Sequence, residues 1–155
     1  MRPPPPTLRI HDAQRRRPLP QAAIHRVARA VLEGQGLDAD ITVHFISPRR
    51  SAELNRRHLG HTGATDILTF DLGSTPTRLS GELFICVEEA VRQAPEFGTQ
   101  WRQELLRYLI HGLLHLQGFD DREPADRRRM KRREDALVRR WVTGSTPGGR
   151  VRARP

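Results

Sequence analysis

At 155 residues the chain is long enough for one domain with a proper core, and its lone cysteine, Cys86, excludes a disulfide framework within one chain. Lysine and arginine number 27 against 18 acidic residues, a formal net charge of +9 that points to a polyanionic partner. No apolar run nears the ~20 residues of a membrane span, and Pro3 to Pro6 stand where a signal peptide needs its hydrophobic region, so the expected location is the cytoplasm, without membrane or disulfide partners.

Residues 1–7 read as a flexible Pro-rich arm leading to a possible edge strand at Leu8 to His11. Ile24, Val27, Ala28, Val31 and Leu32 repeat at helical spacing over 20–33, and Gly34 and Gly36 stop that helix. Ile41, Val43 and Phe45 alternate with polar residues as in a half-buried strand. Ser47-Pro48 has the cap and first-turn chemistry of a helix running to about His58. After a loop at 60–64, strands are expected around Asp66 to Phe70 and Glu82 to Val87. The polar stretch 73–80 is too short for a parallel crossover, so these two strands should form an antiparallel hairpin.

A short helix is expected over 88–94, and Cys86 reads as a packing residue in the apolar run before it. Residues 100–117 form a longer helix with Leu105, Leu106, Leu109, Leu113 and Leu116 toward the core. A last helix at 123–142 carries Met130, Leu137, Val138 and Trp141 among many charges. Its cluster Arg127, Arg128, Arg129, Lys131, Arg132 and Arg133 could contact RNA, although a charge-rich helix face is more often solvated surface, and Glu134 and Asp135 interrupt it. Residues 143–155 read as a disordered basic tail. The predicted fold is α+β: one compact domain over 8–142, with a small mixed sheet of about four strands packed with about five helices.

The segment His111-Gly-Leu-Leu-His115-Leu-Gln-Gly118-Phe-Asp-Asp121 carries the chemistry. Positions 111 and 115 share one helix face a turn apart, Gly118 can take the left-handed conformation that ends a helix, and Asp121 can then fold back as a third ligand. Three protein ligands for one Zn²⁺ per chain leave a coordination position open, the mark of a catalytic site at the end of a central helix. A lone histidine on a core-facing helix is usually a packing residue. Here two histidines, a glycine and an aspartate fall together in an apolar segment where an unpartnered imidazole is costly. Metzincin proteases share the spacing, but Gly112 stands where they have their general-base Glu, and Met130 lies in a helix-like segment instead of a turn.

The same segment resembles the HGxLHLxGxDH signature of the YbeY family, bacterial endoribonucleases of ribosomal RNA maturation. Leu54-Asn55, Gly60 and Thr65-Asp66-Ile-Leu-Thr-Phe70 resemble that family's LN…G…TDVLSF block, and Gly81-Glu82-Leu-Phe-Ile resembles its GDI strand. The resemblance covers roughly 40–140. Two positions depart from it: Asp121 replaces the family's third metal-binding His, and Leu59 stands where the family has an Arg thought to face the substrate. That leaves phosphate contact to Arg56, Arg57 or His61, or weakens activity.

The resemblance implies a single-strand-specific, zinc-dependent endoribonuclease with His111, His115 and Asp121 as metal ligands. It also implies action in rRNA processing, including the 3′ end of 16S rRNA, and in ribosome quality control, with rRNA and ribosomal subunits or ribosomal proteins as partners. No general base is obvious; Asp120 and Glu82 are the carboxylates that could approach the site. The alternatives are another metal-dependent hydrolase such as a protease, and a ribosome assembly factor whose zinc is structural.

Overall fold

A computed structural model describes residues 6–143. The arm expected over 1–7 lies outside those residues except for its last two positions, and the tail expected over 143–155 except for its first. The elements run β1 (Thr7–Asp12), α1 (Gln21–Glu33), β2 (Asp38–Ile46), α2 (Pro48–Leu59), β3 (Ile67–Asp71), β4 (Arg78–Cys86), α3 (Val87–Phe97), α4 (Trp101–Leu116) and α5 (Pro124–Val138), closed by a π-helical turn at Arg139–Thr143. The α+β fold with a four-stranded mixed sheet and five α-helices is the one expected.

The sheet order is β1-β2-β4-β3. β2 pairs in parallel with both β1 and β4, whereas β3 and β4 form the expected antiparallel hairpin, with Leu68 opposite Phe84 and Phe70 opposite Glu82. Alternation decides which face each residue occupies. Ile41, Val43 and Phe45 of β2 and Leu79, Leu83 and Ile85 of β4 are buried in the main core with α1 and α4. On the other face α2 closes a smaller cluster of Ile46, Leu54 and Leu68, with Phe70 and Phe84 against it. Ser47 caps α2 by accepting from the Arg50 amide at 3.2 Å.

Helix α4 is the central element, burying Leu105, Leu109, Ile110, Leu113 and Leu114. It lies so deep on the hairpin that a Cβ at Gly112 would sit 2.7 Å from Ile67 Cδ1 and 2.9 Å from Leu83 Cδ2. Across the same contact, a Cβ at Gly81 would meet the Phe70 carbonyl oxygen at 2.6 Å and Leu116 Cδ2 at 2.8 Å. Two missing side chains therefore set how closely helix and sheet approach, and with it the height of the imidazoles above the sheet.

Three elements differ from their expected bounds. Strand β4 begins at Arg78, inside the stretch expected as a turn, because its parallel pairing with β2 starts at Asp38 opposite Arg78 and Leu79 is buried. Helix α3 continues through Pro95 to Phe97, beyond the expected stop at 94, although Pro95 lacks the N–H for its helical hydrogen bond. Buried Val87, Ala90 and Ala94 hold the helix down, and Gly98, at φ 66°, closes it. The last α-helix ends at Val138, four residues short of the expected end at 142, and continues as the π-helical turn. Among the described residues no helix is long and apolar enough to cross a membrane, and Cys86 is a buried free thiol.

Candidate metal centre

Helix α4 presents His111 and His115 from successive turns, with their Nε2 atoms 3.2 Å apart. The helix ends at Gln117, where Gly118 takes φ +97° and the Phe119 amide returns to the Leu114 carbonyl at 3.1 Å. That turn brings Asp121 Oδ2 to 3.8 Å from His111 Nε2 and 3.5 Å from His115 Nε2. A tetrahedral zinc with bonds of roughly 2.0–2.1 Å holds its donors about 3.3–3.4 Å apart. The three atoms thus need to move only a few tenths of an ångström to fit one such ion. Among the described residues this is the one group of three or more His, Cys, Asp or Glu side chains converging within 4.8 Å.

Each imidazole has its own electrostatic setting. His111 Nδ1 lies 2.7 Å from Glu134 Oε1 on α5, and Glu134 Oε2 accepts from Arg107 at 2.9 Å. Arg107 also reaches Asp135 at 2.7 Å, so one guanidinium ties α4 to two carboxylates of α5. Burial pushes His111 toward its neutral form, but the hydrogen bond and charge of Glu134, helped by Asp66 and Asp121, outweigh it and raise the pKa. For His115, burial and the adjacent His111 outweigh Asp121, and the pKa falls. Burial pushes the Glu134 carboxyl upward, yet His111 and Arg107 more than compensate and keep it below the usual range. An ionised Glu134 accepts the proton of Nδ1, which leaves the Nε2 lone pair of His111 directed at His115 and Asp121.

The remaining candidates are placed less centrally. Asp120 is gripped by Arg122, whose guanidinium reaches both carboxylate oxygens at 2.7 to 3.1 Å, and its pKa is held down to about 2. Glu82 points to His44 Nε2 at 3.1 Å, and His44 is stacked on Phe84. Neither carboxylate joins the converging group. Arg56 and Arg57 are exposed in the last turn of α2, and His61 is exposed in the following loop. None of the three is hydrogen-bonded to the triad among the described residues. Their loop is nonetheless anchored: Asn55 Nδ2 donates to the Gly63 carbonyl, and Ser51 Oγ bonds both the amide and the carbonyl of Thr65, all at 3.0 Å.

Comparison with known proteins settles what frame holds this site. A family model described as Endoribonuclease YbeY matches residues 9–142. The chain belongs to the YbeY endoribonuclease family. Among curated relatives, the Endoribonuclease YbeY of Chlorobium luteolum is 39% identical over 132 residues, covering 84% of this chain and 95% of its own. That of Chlorobium phaeovibrioides is 37% identical over 134 residues, 86% and 89% of the two chains. The solution structure of TM1509 from Thermotoga maritima superposes with a TM-score of 0.64 at 26% identity, covering 93% of this chain and all of that one.

As a YbeY family member the protein is a metal-dependent hydrolase of the endoribonuclease type. Gly112 supplies no carboxylate where metzincin proteases carry their general-base Glu, and Ile67 and Leu83 lie against its Cα. Leu59, at the place of the family arginine, is 55% exposed at the end of α2. Glu134 is the site residue that the sequence reading did not single out, having been noted only as a break in a basic run. The available signal was its helical spacing with Met130 and Leu137, which puts a carboxylate on the apolar side of α5.

Proposed function

We propose that this chain cleaves single-stranded RNA endonucleolytically, using a zinc ion held by His111, His115 and Asp121. The convergence of those three donor atoms at near-tetrahedral separations carries the reading. When bound, the ion supplies Lewis acidity toward a phosphoryl oxygen and acidifies water. Asp121 contributes a carboxylate where the family has an imidazole, which adds negative charge and makes that water less acidic. Glu134 and Arg107 hold His111 in the tautomer that offers Nε2. Asp120 is committed to Arg122 and Glu82 to His44, so neither serves as the base. Exposed Arg56, Arg57 and His61 take the substrate phosphates in place of an arginine at Leu59.

The substrate is ribosomal RNA, including the 3′ end of 16S rRNA, met in the cytoplasm on ribosomal subunits or with ribosomal proteins. Family membership and the net charge of +9 support this assignment. The exposed Leu59 favours one second reading, an assembly factor that binds subunits with little cleavage. Metal analysis, followed by incubation with an unstructured RNA and with casein, each with and without chelator, separates the readings. Chelator-sensitive RNA cleavage that is lost in His115→Ala, with casein untouched, is the expected result. Metal-loaded protein that binds subunits and leaves RNA intact would overturn it.

A further inference from the structure

Helix α5 faces two ways. Its inner side buries Met130, Glu134, Leu137 and Val138 against the rest of the domain. Its outer side carries two parallel rows of arginine. Arg128 and Arg132 lie about 40° apart around the axis at 100° per residue, Arg129 and Arg133 form a second row beside them, and Arg139 and Arg140 follow in the π-helical turn that continues α5. All six are exposed.

Little among the described residues neutralises them. Arg128, Arg132, Arg133 and Arg139 make no ion pair among the described residues. Arg129 is 3.9 Å from Asp126, and Arg140 lies over the Trp141 ring at 4.9 Å. Asp135 flanks the first row, but its carboxylate is taken by Arg107 at 2.7 Å and Lys131 at 3.6 Å. Arg128/Arg132 and Arg129/Arg133 are like-charged pairs at i,i+4, each disfavouring an isolated helix by roughly 0.2–0.5 kcal/mol. Cations in the first turns also oppose the helix dipole. The arrangement weakens α5 in the absence of an external anion.

The rows begin beside the metal centre, where Arg127 Nε donates to the Asp121 carbonyl at 3.0 Å and so ties the first turn of α5 to the ligand loop. From Arg128 to Arg139 the helix extends about 16 Å, enough to pass roughly five phosphates of a stacked strand. We infer that the outer face of α5 is a sequence-independent track for the phosphate backbone of RNA leading to or from the metal centre. This inference rests on the endoribonuclease reading and names a surface that the metal site does not supply. The contacts are point charges on phosphates, so they set affinity and salt dependence and leave base preference alone.

The test compares the full chain with the triple variant Arg128→Ala/Arg132→Ala/Arg139→Ala, binding a 20-nucleotide oligouridylate across a salt series. The variant should bind about tenfold or more weakly at low salt, and its log-log salt slope should be shallower by about 2, at ~0.7 for each phosphate that an arginine no longer neutralises. Metal content should stay that of the parent and the melting temperature should be equal or higher, since like-charged repulsion on α5 is relieved, and replacement of the same three residues by Lys should preserve the slope. Unchanged affinity, or an equal loss in the control Arg15→Ala/Arg16→Ala/Arg29→Ala, would overturn the track, the latter by showing that net charge alone matters. Polyglutamate that binds the parent as tightly as RNA, and loses the same factor in the variant, would reassign the face to an acidic protein. Parent protein that binds the oligonucleotide through this face without cleaving it would defeat the nuclease reading and leave the track standing.

Discussion

The Glu134 carboxylate lies 2.7 Å from His111 Nδ1, while the other nitrogen of the same ring faces His115 and Asp121. A carboxylate on Nδ1 fixes the tautomer and raises the basicity of Nε2, the usual arrangement behind a metal-binding imidazole. Glu134→Gln should therefore weaken zinc affinity by about 10–100-fold in a chelator competition titration, with one ion per chain still bound at saturation. Parent-like affinity in Glu134→Gln would show that the contact is only structural.

Asp121 and Asp120 are adjacent in sequence but differ in environment. Asp121→His should keep the metal, and Asp121→Ala should lose affinity by a large factor because only two protein ligands remain. Asp120→Asn should bind metal like the parent, since that carboxylate is already spent on Arg122. A larger loss in Asp120→Asn than in Asp121→Ala would exchange the two assignments.

Alanine in place of glycine inside a helix ordinarily stabilises it by about 1 kcal/mol. At Gly112 the sign should reverse, because the added Cβ runs into Ile67 and Leu83, with overpacking worth roughly 1–3 kcal/mol. Gly81→Ala should be at least as harmful, since its nearest obstacle is the Phe70 carbonyl, which cannot turn aside as a side chain can. Urea unfolding of both variants tests this. A raised midpoint for Gly112→Ala would mean that α4 sits higher on the sheet than described.

Cys86 should be unreactive while the protein is folded. It is fully buried, and burial pushes its thiol pKa up, which depletes the thiolate that alkylating reagents attack. Labelling by iodoacetamide at pH 8 should proceed only in denaturant. Rapid labelling without denaturant would indicate that the junction of β4 and α3 opens.

The sequence disclosed most where a residue's role is local. The i,i+4 histidines, the helix-ending Gly118 and the return of Asp121 depend on contacts within eleven positions, so spacing alone conveys them. The strands with clean alternation, such as Ile41/Val43/Phe45, were equally legible, and so was the hairpin. Glu134 was not, because its partner is 23 residues away and its neighbours are cations that suggest solvent. The end of α3 was hidden for a related reason: Pro95 is a breaker by local rules, whereas packing of Ala90 and Ala94 sustains the helix past it. The order β1-β2-β4-β3 depends on which strands bury which faces against α1 and α4, information that no single segment contains.

That strand order has a consequence for self-association. Its two outer strands are β1 and β3, and each is poorly suited to receive a further strand from another copy. β3 is five residues long and is flanked by Asp66 with Asp71 at its end, so growth there would begin and stop on carboxylates. β1 is six residues long and exposes Arg9, His11 and Asp12, with Arg9 already bound to Asp40 at 2.6 Å. Brevity and charge at both rims thus protect the sheet against edge-to-edge aggregation.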